Sequence, residues 1–230
     1  AVNFSINKSD VVTCVSESLK KDTIDQFDID IDIKVVPNFI DISKYKKQQK
    51  ICFSQNEKNN EKITIAHVSN FRAVKNVNNV VLAFNKISKK IPSKLIMIGE
   101  GPEKLKAEIL CKSLSIDNDV SFLGNTNEVE KNLCHSDLFL LPSSTESFGL
   151  AALEAMASRV PVISSNAGGL PEINKHGVTG YLTDCNDIDS MTKYAISILE
   201  NNKTLEDFKK NAFEKALNYD INIVVPMYEK

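Results

Sequence analysis

The sequence predicts an α/β fold, a parallel sheet flanked by helices, and three observations predict it. Short apolar runs alternate with longer amphipathic stretches, the pattern of repeated strand–helix units. The run at 138–141 passes through a polar loop into a stretch, 149–157, that is small or apolar almost throughout, so a strand feeds a helix buried on every side. Finally, 230 residues with 42% hydrophobic composition suffice for one sizeable core with little left for a second.

Taken in order, strands are expected at 11–15, 34–36, 63–68, 94–98, 120–123, 138–141 and 162–164. Helices are expected between them, near 16–27, 77–87, 103–114, 128–133 and 149–157, and the last third reads as helical over 187–200 and 204–216. The stretch 43–61, SKYKKQQKICFSQNEKNNE, is dominated by Lys, Gln and Asn and reads as a linker or long surface loop. It divides the chain into 1–42, too short for a core of its own, and 43–230, a plausible complete domain. The chain starts at Ala1 in what reads as an element already under way, so a preceding segment is expected.

The formal charge of -2 gives no electrostatic reason to expect nucleic acid, so any anion site must be local. No apolar run approaches the roughly 20 residues of a membrane span, and AVNFSINKSD lacks the regions of a signal peptide, which points to the cytoplasm. The five cysteines, Cys14, Cys52, Cys111, Cys134 and Cys185, are scattered without metal-ligand or C-x-x-C spacing. They are expected to be reduced, structural thiols, and no metal site is expected.

Chemistry concentrates in DLFLLPSSTESFGLAALEAMAS, 137–158. Glu154 is the one charged residue of an otherwise apolar helix, and a buried carboxylate needs a partner, which ligand hydroxyls can supply as well as a protein cation. Glu146 lies eight residues earlier. In one continuous helix the two would point about 80° apart, so Glu146 borders the same ligand only from the preceding loop. The amides of Phe148, Gly149 and Leu150 at the helix start would offer donors to an anion. The competing reading makes Ser143-x-x-Glu146 a capping box and pairs Glu154 with a buried Arg or Lys.

A second candidate follows the strand at 63–68, where Ser69-Asn70-Phe71-Arg72-Ala73-Val74-Lys75 puts two cations at a strand's carboxyl end, the place for phosphate partners in an open sheet. Gly124 ends another strand and could hold a base through main-chain groups. The glycines in Ile98-Gly99-Glu100-Gly101 do not make a dinucleotide fingerprint, because Lys104 stands where the third glycine belongs, and NAD is rejected on that ground. Gly168-Gly169 either present amides to a sugar or form a plain turn. His176 reads as a loop histidine, and His67 and His135 carry less signal still.

These residues together resemble the family 4 retaining glycosyltransferases of the GT-B fold. The match runs through ESFGLAALE, 146–154, as the family's E-x7-E motif, then VPVI at 160–163, GGLPE at 168–172 and GVTG at 177–180. The resemblance implies a Rossmann-like C-terminal domain in which Glu146 contacts the donor sugar and Glu154 the ribose hydroxyls. It also implies that the amides after Ser147 meet sugar and phosphate, and that Lys75 is the phosphate-binding lysine. Asn70 departs from the arginine many members carry, leaving Arg72 as its replacement.

SNFRAVK, 69–75, is similar to a narrower group, the synthases that join N-acetylglucosamine to L-malate in bacillithiol formation. On that likeness 1–42 is the tail of an N-terminal acceptor domain, absent here, and 219–230 begins the helix crossing back to it. The implied partners are a UDP-sugar donor as co-substrate, with no other cofactor, and a small-molecule acceptor such as L-malate. Association into a homo-oligomer stays open, and the segment alone is expected to be inactive. Two other readings remain: a family member with another donor or acceptor, in polysaccharide or glycolipid assembly, and a non-catalytic nucleotide-sugar-binding module.

Overall fold

The computed structural model describes residues 2–54 and 62–229. Its first part is a short helix α1 (Val2–Asn7) and one strand–helix–strand unit, β1 (Val12–Cys14), α2 (Glu17–Gln26) and β2 (Ile33–Val35), whose strands pair in parallel as a separate two-stranded sheet. Next come α3 (Ile42–Ser54), β3 (Ile63–Val68), α4 (Val77–Ser88), β4 (Ser93–Ile98), α5 (Lys104–Ser113), β5 (Val120–Gly124), α6 (Val129–Cys134) and β6 (Leu138–Leu141). The chain closes with α7 (Leu150–Ala157), β7 (Val162–Ser165), α8 (Leu170–Ile173), β8 (Gly180–Thr183), α9 (Ile188–Leu199), α10 (Asn202–Ala216) and α11 (Ile221–Val224).

Six strands form one parallel sheet in the order β5-β4-β3-β6-β7-β8. The central strands are apolar at almost every position because both faces are covered. Ile65, Leu95, Met97, Leu138 and Leu140 join one core with α4, α5 and α9. Ala66, Phe139, Leu141 and Val162 point the other way into a second core with α3, α7 and α10. The chain builds outward from β3 to β4 and β5, then returns to lay β6 on the other side of β3. That reversal opens a crevice beyond the carboxyl ends of β3 and β6, where doubly wound sheets bind ligands.

The expected linker at 43–61 is corrected. Most of it is helix α3, with 55–61 lying outside the described residues. Ile42, Tyr45 and Gln49 are buried at helical spacing, and the Gln49 amide donates to the Ala157 carbonyl at 2.7 Å. The exposed Lys44, Lys46 and Lys47 between them mask this narrow buried stripe. The strand β8, the short α8 and α1 were not anticipated; β8 is a four-residue edge strand beginning with glycine. Among the described residues no helix is long and apolar enough to cross a membrane.

The expectation of free thiols is also corrected. Cys52 on α3 and Cys134 at the end of α6 are joined in a disulfide, while Cys14, Cys111 and Cys185 are free. A separation of 82 residues hides the pair from any reading of spacing. With His135 the two sulfurs make a cluster of three ligand-type atoms within 4.8 Å of one another, a grouping the sequence did not suggest.

Candidate functional site

The crevice is formed by two loops stitched together by main chain. The Ser144 N–H donates to the Val74 carbonyl at 2.8 Å, and the side-chain amide of Asn76 donates to the Pro142 carbonyl at 2.8 Å. Within it the Lys75 ammonium donates to Glu146 Oε1 at 2.6 Å, and the Ser143 hydroxyl donates to the same oxygen at 2.9 Å. Both charged side chains are largely shielded, with 18% and 13% of their surface exposed. Ser143 therefore binds the Glu146 carboxylate directly and is no helix cap; α7 begins only at Leu150, after Gly149 at φ +98°. Arg72 is exposed beside this pair with no ion-pair partner among the described residues.

The loop after β3 is held from below. His67 is fully buried; its Nδ1 donates to the Leu140 carbonyl at 2.9 Å, so Nε2 must accept, at 2.8 Å, from the Ser69 hydroxyl. Burial pushes the imidazole down to about 4, so it stays neutral and works as a fixed brace. Ser69 thus spends its hydroxyl inside the protein, where it also accepts the Phe71 N–H at 3.3 Å. His67 carried little signal in the sequence, because its importance comes from a strand neighbour 73 residues away. Asn70 is exposed on the loop.

Beyond β6, Ser147 is exposed and Phe148 buried, and the start of α7 has no side-chain cap, which leaves its first amides open to an anion. The paired glycines serve close packing. Gly168, at φ +54°, lies so near the Glu146 carbonyl that a side chain would strike it, and the Gly169 N–H donates to that carbonyl at 2.9 Å. They hold the Glu146 loop, and the Gly169 amide is spent on that contact.

Glu154 occupies a different setting. It sits one turn into α7, about 6 Å along the axis from the helix start, with no hydrogen-bond or ion-pair partner among the described residues. Burial first, and then the Glu130 carboxylate of α6, raise it to about 7. Tyr45 of α3 is near enough that Glu154, after burial, pushes its hydroxyl upward as well. The buried lysine that could have partnered it, Lys209 of α10, instead binds Asp137 at 3.1 Å. Tyr45 and Glu130 were not legible as neighbours of Glu154, since each arrives on its own helix. Gly124 stands at the end of β5, two strands from β3, with its carbonyl accepting the Gly99 N–H at 2.9 Å.

A doubly wound sheet with a lysine–carboxylate pair at its switch point puts the chain in the class of open α/β proteins, whose ligands lie beyond the carboxyl ends of the strands. The chain belongs to the group 1 glycosyl transferases, whose family pattern matches residues 48–215. It is 42% identical over 217 residues to N-acetyl-alpha-D-glucosaminyl L-malate synthase of Bacillus anthracis, covering 94% of this chain and 56% of that protein. An uncharacterised glycosyltransferase of Methanocaldococcus jannaschii is 31% identical over 225 residues, 92% of this chain and 57% of the relative. The chain thus spans little more than half the length of these relatives.

Among solved structures, Anabaena HepE in complex with UDP superposes with a TM-score of 0.86 at 22% identity, over 99% of this chain and 65% of that one. Staphylococcus aureus TarM, determined with UDP among its ligands, gives 0.84 at 22% identity, over 98% and 44%. The parallel six-stranded sheet flanked by helices is that of GT-B glycosyltransferases.

Proposed function

We propose that this chain is the donor-binding half of a retaining glycosyltransferase that transfers N-acetylglucosamine from UDP-N-acetylglucosamine to L-malate. The observation that carries the donor reading is the Lys75–Glu146 pair in the crevice between β3 and β6, with an uncapped helix start alongside. The malate acceptor rests on the 42% identity to the Bacillus anthracis synthase and on the SNFRAVK stretch. Residues 1–42 then belong to the acceptor side, the UDP-sugar is the only small molecule needed besides the acceptor, and the protein works in the cytoplasm.

In this reading Lys75, Arg72 and the amides at 148–150 neutralise the diphosphate as charge builds on the departing oxygen, the electrostatic contribution that usually dominates such chemistry. Glu146, anchored by Lys75 and Ser143, holds the sugar by its hydroxyls. Glu154 takes the ribose hydroxyls, which supply the donors its buried carboxylate lacks. Ser69 and Asn70 shape the phosphate loop, and Gly124 borders the base. Retention follows from attack on the face the diphosphate leaves, with the phosphate itself taking the acceptor's proton.

Calorimetric titration of this chain with UDP, UDP-N-acetylglucosamine and NAD tests the donor assignment, with Glu154→Ala as control. Binding of both uridine nucleotides, lost in the variant, and none of NAD is expected. NAD binding, or uridine nucleotide binding indifferent to Glu154, would refute it.

A further inference from the structure

One cluster of reactive side chains belongs to neither crevice loop: the bonded pair Cys52–Cys134 and His135, whose sulfur and ring nitrogen atoms lie within 4.8 Å of one another. Both cysteines are half-buried and His135 is exposed, so the group lies at the surface. Disulfides are rare in cytosolic proteins of mesophiles, and those that form there are usually transient, made and broken in catalysis or redox sensing. In the cytoplasm assigned above, a bond in this place calls for that reading.

The bond ties together two helices that are otherwise held very unequally. Buried Ile42 and Tyr45 anchor α3, and so does the Gln49 amide on the Ala157 carbonyl. By contrast α6 has six residues, of which only Leu133 is buried, and no side-chain cap at its start. Its side-chain hydrogen bonds reach no further than Glu128 on one side and Ser136 on the other. Opening the disulfide therefore loosens α6 while α3 stays docked. The loosened helix carries Glu130, the half-buried carboxylate whose charge acts on Glu154.

We propose that Cys52–Cys134 is a reversible thiol–disulfide exchange site, through which a low-molecular-weight thiol controls how α6 presents Glu130 to Glu154. His135 takes the proton of the attacking thiol, whose sulfur bonds to one cysteine, and returns it to the cysteine sulfur that departs. A second thiol then displaces the first from the mixed disulfide. Two thiols are oxidised to one small disulfide, and Cys52 and Cys134 are left as two thiols. Oxidised, the clamp keeps a like charge beside Glu154 and opposes its ionised form; reduced, it lets that charge withdraw. Other charged groups on the elements around α7 are engaged away from the clamp: Lys209 with Asp137, Arg159 over Phe213, and Glu172 with the amides of α2. The consequence for the nucleotide rests on the ribose reading of Glu154 above.

The test equilibrates the chain in graded mixtures of reduced and oxidised glutathione, then alkylates it and weighs it by mass spectrometry. Cys52 and Cys134 should become alkylatable together as the mixture turns reducing, while buried Cys14 and Cys111 stay protected. If the pair reacts only when Cys14 and Cys111 react too, the chain has unfolded and exchange on the folded protein is refuted. Amide hydrogen exchange should quicken across α6 on reduction and stay unchanged across α3; equal rates in α6 overturn the proposal. Below pH 7, the reduced chain should bind UDP about 2- to 5-fold more tightly than the oxidised one, burial and not Glu130 being the larger influence on Glu154. Cys134→Ser should match the reduced chain in either mixture, and Glu130→Gln should bind UDP equally in both. A redox effect on affinity that persists in Glu130→Gln overturns the route through that carboxylate. Redox-dependent exchange in α6 of a chain that ignores UDP upholds the switch, and the nucleotide reading alone then fails.

Discussion

Glu146 and Glu154 stand eight residues apart and are both shielded from water, yet their surroundings are opposite. Glu146 is gripped by an ammonium and a hydroxyl. Glu154 has neither, faces another carboxylate and is driven up to about 7. The first carboxylate is already satisfied and rigid, suited to position a ligand without changing charge. The second is kept short of donors, and a ligand that brings hydroxyls relieves it. The same contrast extends to how each is held. Loop hydrogen bonds and close-packed glycines fix Glu146, whereas the neighbours of Glu154 ride on α3 and α6, which the Cys52–Cys134 disulfide clamps together.

Breaking that clamp should give the largest effect on stability. A disulfide closing 82 residues stabilises by about 2–4 kcal/mol, mainly by restricting the unfolded chain. Urea denaturation with and without reductant should differ by that amount in the wild type, and Cys134→Ser should abolish the difference. Equal midpoints in both conditions would show that the sulfurs are not bonded in solution.

Lys75→Ala comes next and acts on the Glu146 side alone. Removing a charge-assisted partner of the diphosphate should weaken UDP binding about 10- to 100-fold in calorimetry. Because Lys75 does not contact Glu154, the pH dependence of whatever binding survives should be unchanged. A shift in that dependence would mean the two carboxylates are coupled after all.

The Glu154 side is probed by pH. A carboxyl raised from 4.5 to about 7 favours folding fully below pH 4.5, and that contribution is lost as pH rises through 7. Wild-type stability should therefore carry a downward component between pH 4.5 and about 7 that Glu154→Gln removes. Ribose hydroxyls donate to the ionised form, so UDP affinity should climb with pH below 7, by up to about tenfold per unit, and level off above it. Proton release on binding, read from titrations in two buffers of different ionisation enthalpy, checks the sign. A flat affinity profile would remove Glu154 from the ribose.

How much of this was legible depends on the distance over which each feature is encoded. The strands at 63–68 and 138–141 and the helix beginning at 77 are local patterns, and the structure places them where periodicity does. From the two strand ends, the approach of Lys75 and Glu146 follows once β3 and β6 are neighbours. The helix α3 escaped notice because its apolar stripe is only a few residues wide in a polar background. The disulfide, the His67–Leu140 bond and the trio of Tyr45, Glu130 and Glu154 are long-range, and no property of the isolated segments announces them.

The smallest effect expected separates the two regions most cleanly. The carboxylate of Glu172, on the short helix α8, accepts the N–H groups of Glu17 and Ser18 in the first turn of α2, at 3.1 and 2.9 Å. It thereby satisfies amides that a helix start leaves open and matches the positive end of the helix. Ser16, the cap of the same helix, donates its hydroxyl to the Ser147 carbonyl at 2.6 Å, next to Glu146. Glu172→Ala should cost about 1 kcal/mol, the usual loss for a missing helix cap, and should speed proteolysis within 12–36 more than elsewhere. Since α2 touches the Glu146 loop through Ser147 while Tyr45 and Glu130, beside Glu154, lie on α3 and α6, UDP-N-acetylglucosamine should bind slightly less well with its pH midpoint unmoved. A midpoint that moved would show that the first strand–helix–strand unit also supports the buried carboxylate, and the division between a satisfied and an unsatisfied side of the crevice would have to be redrawn.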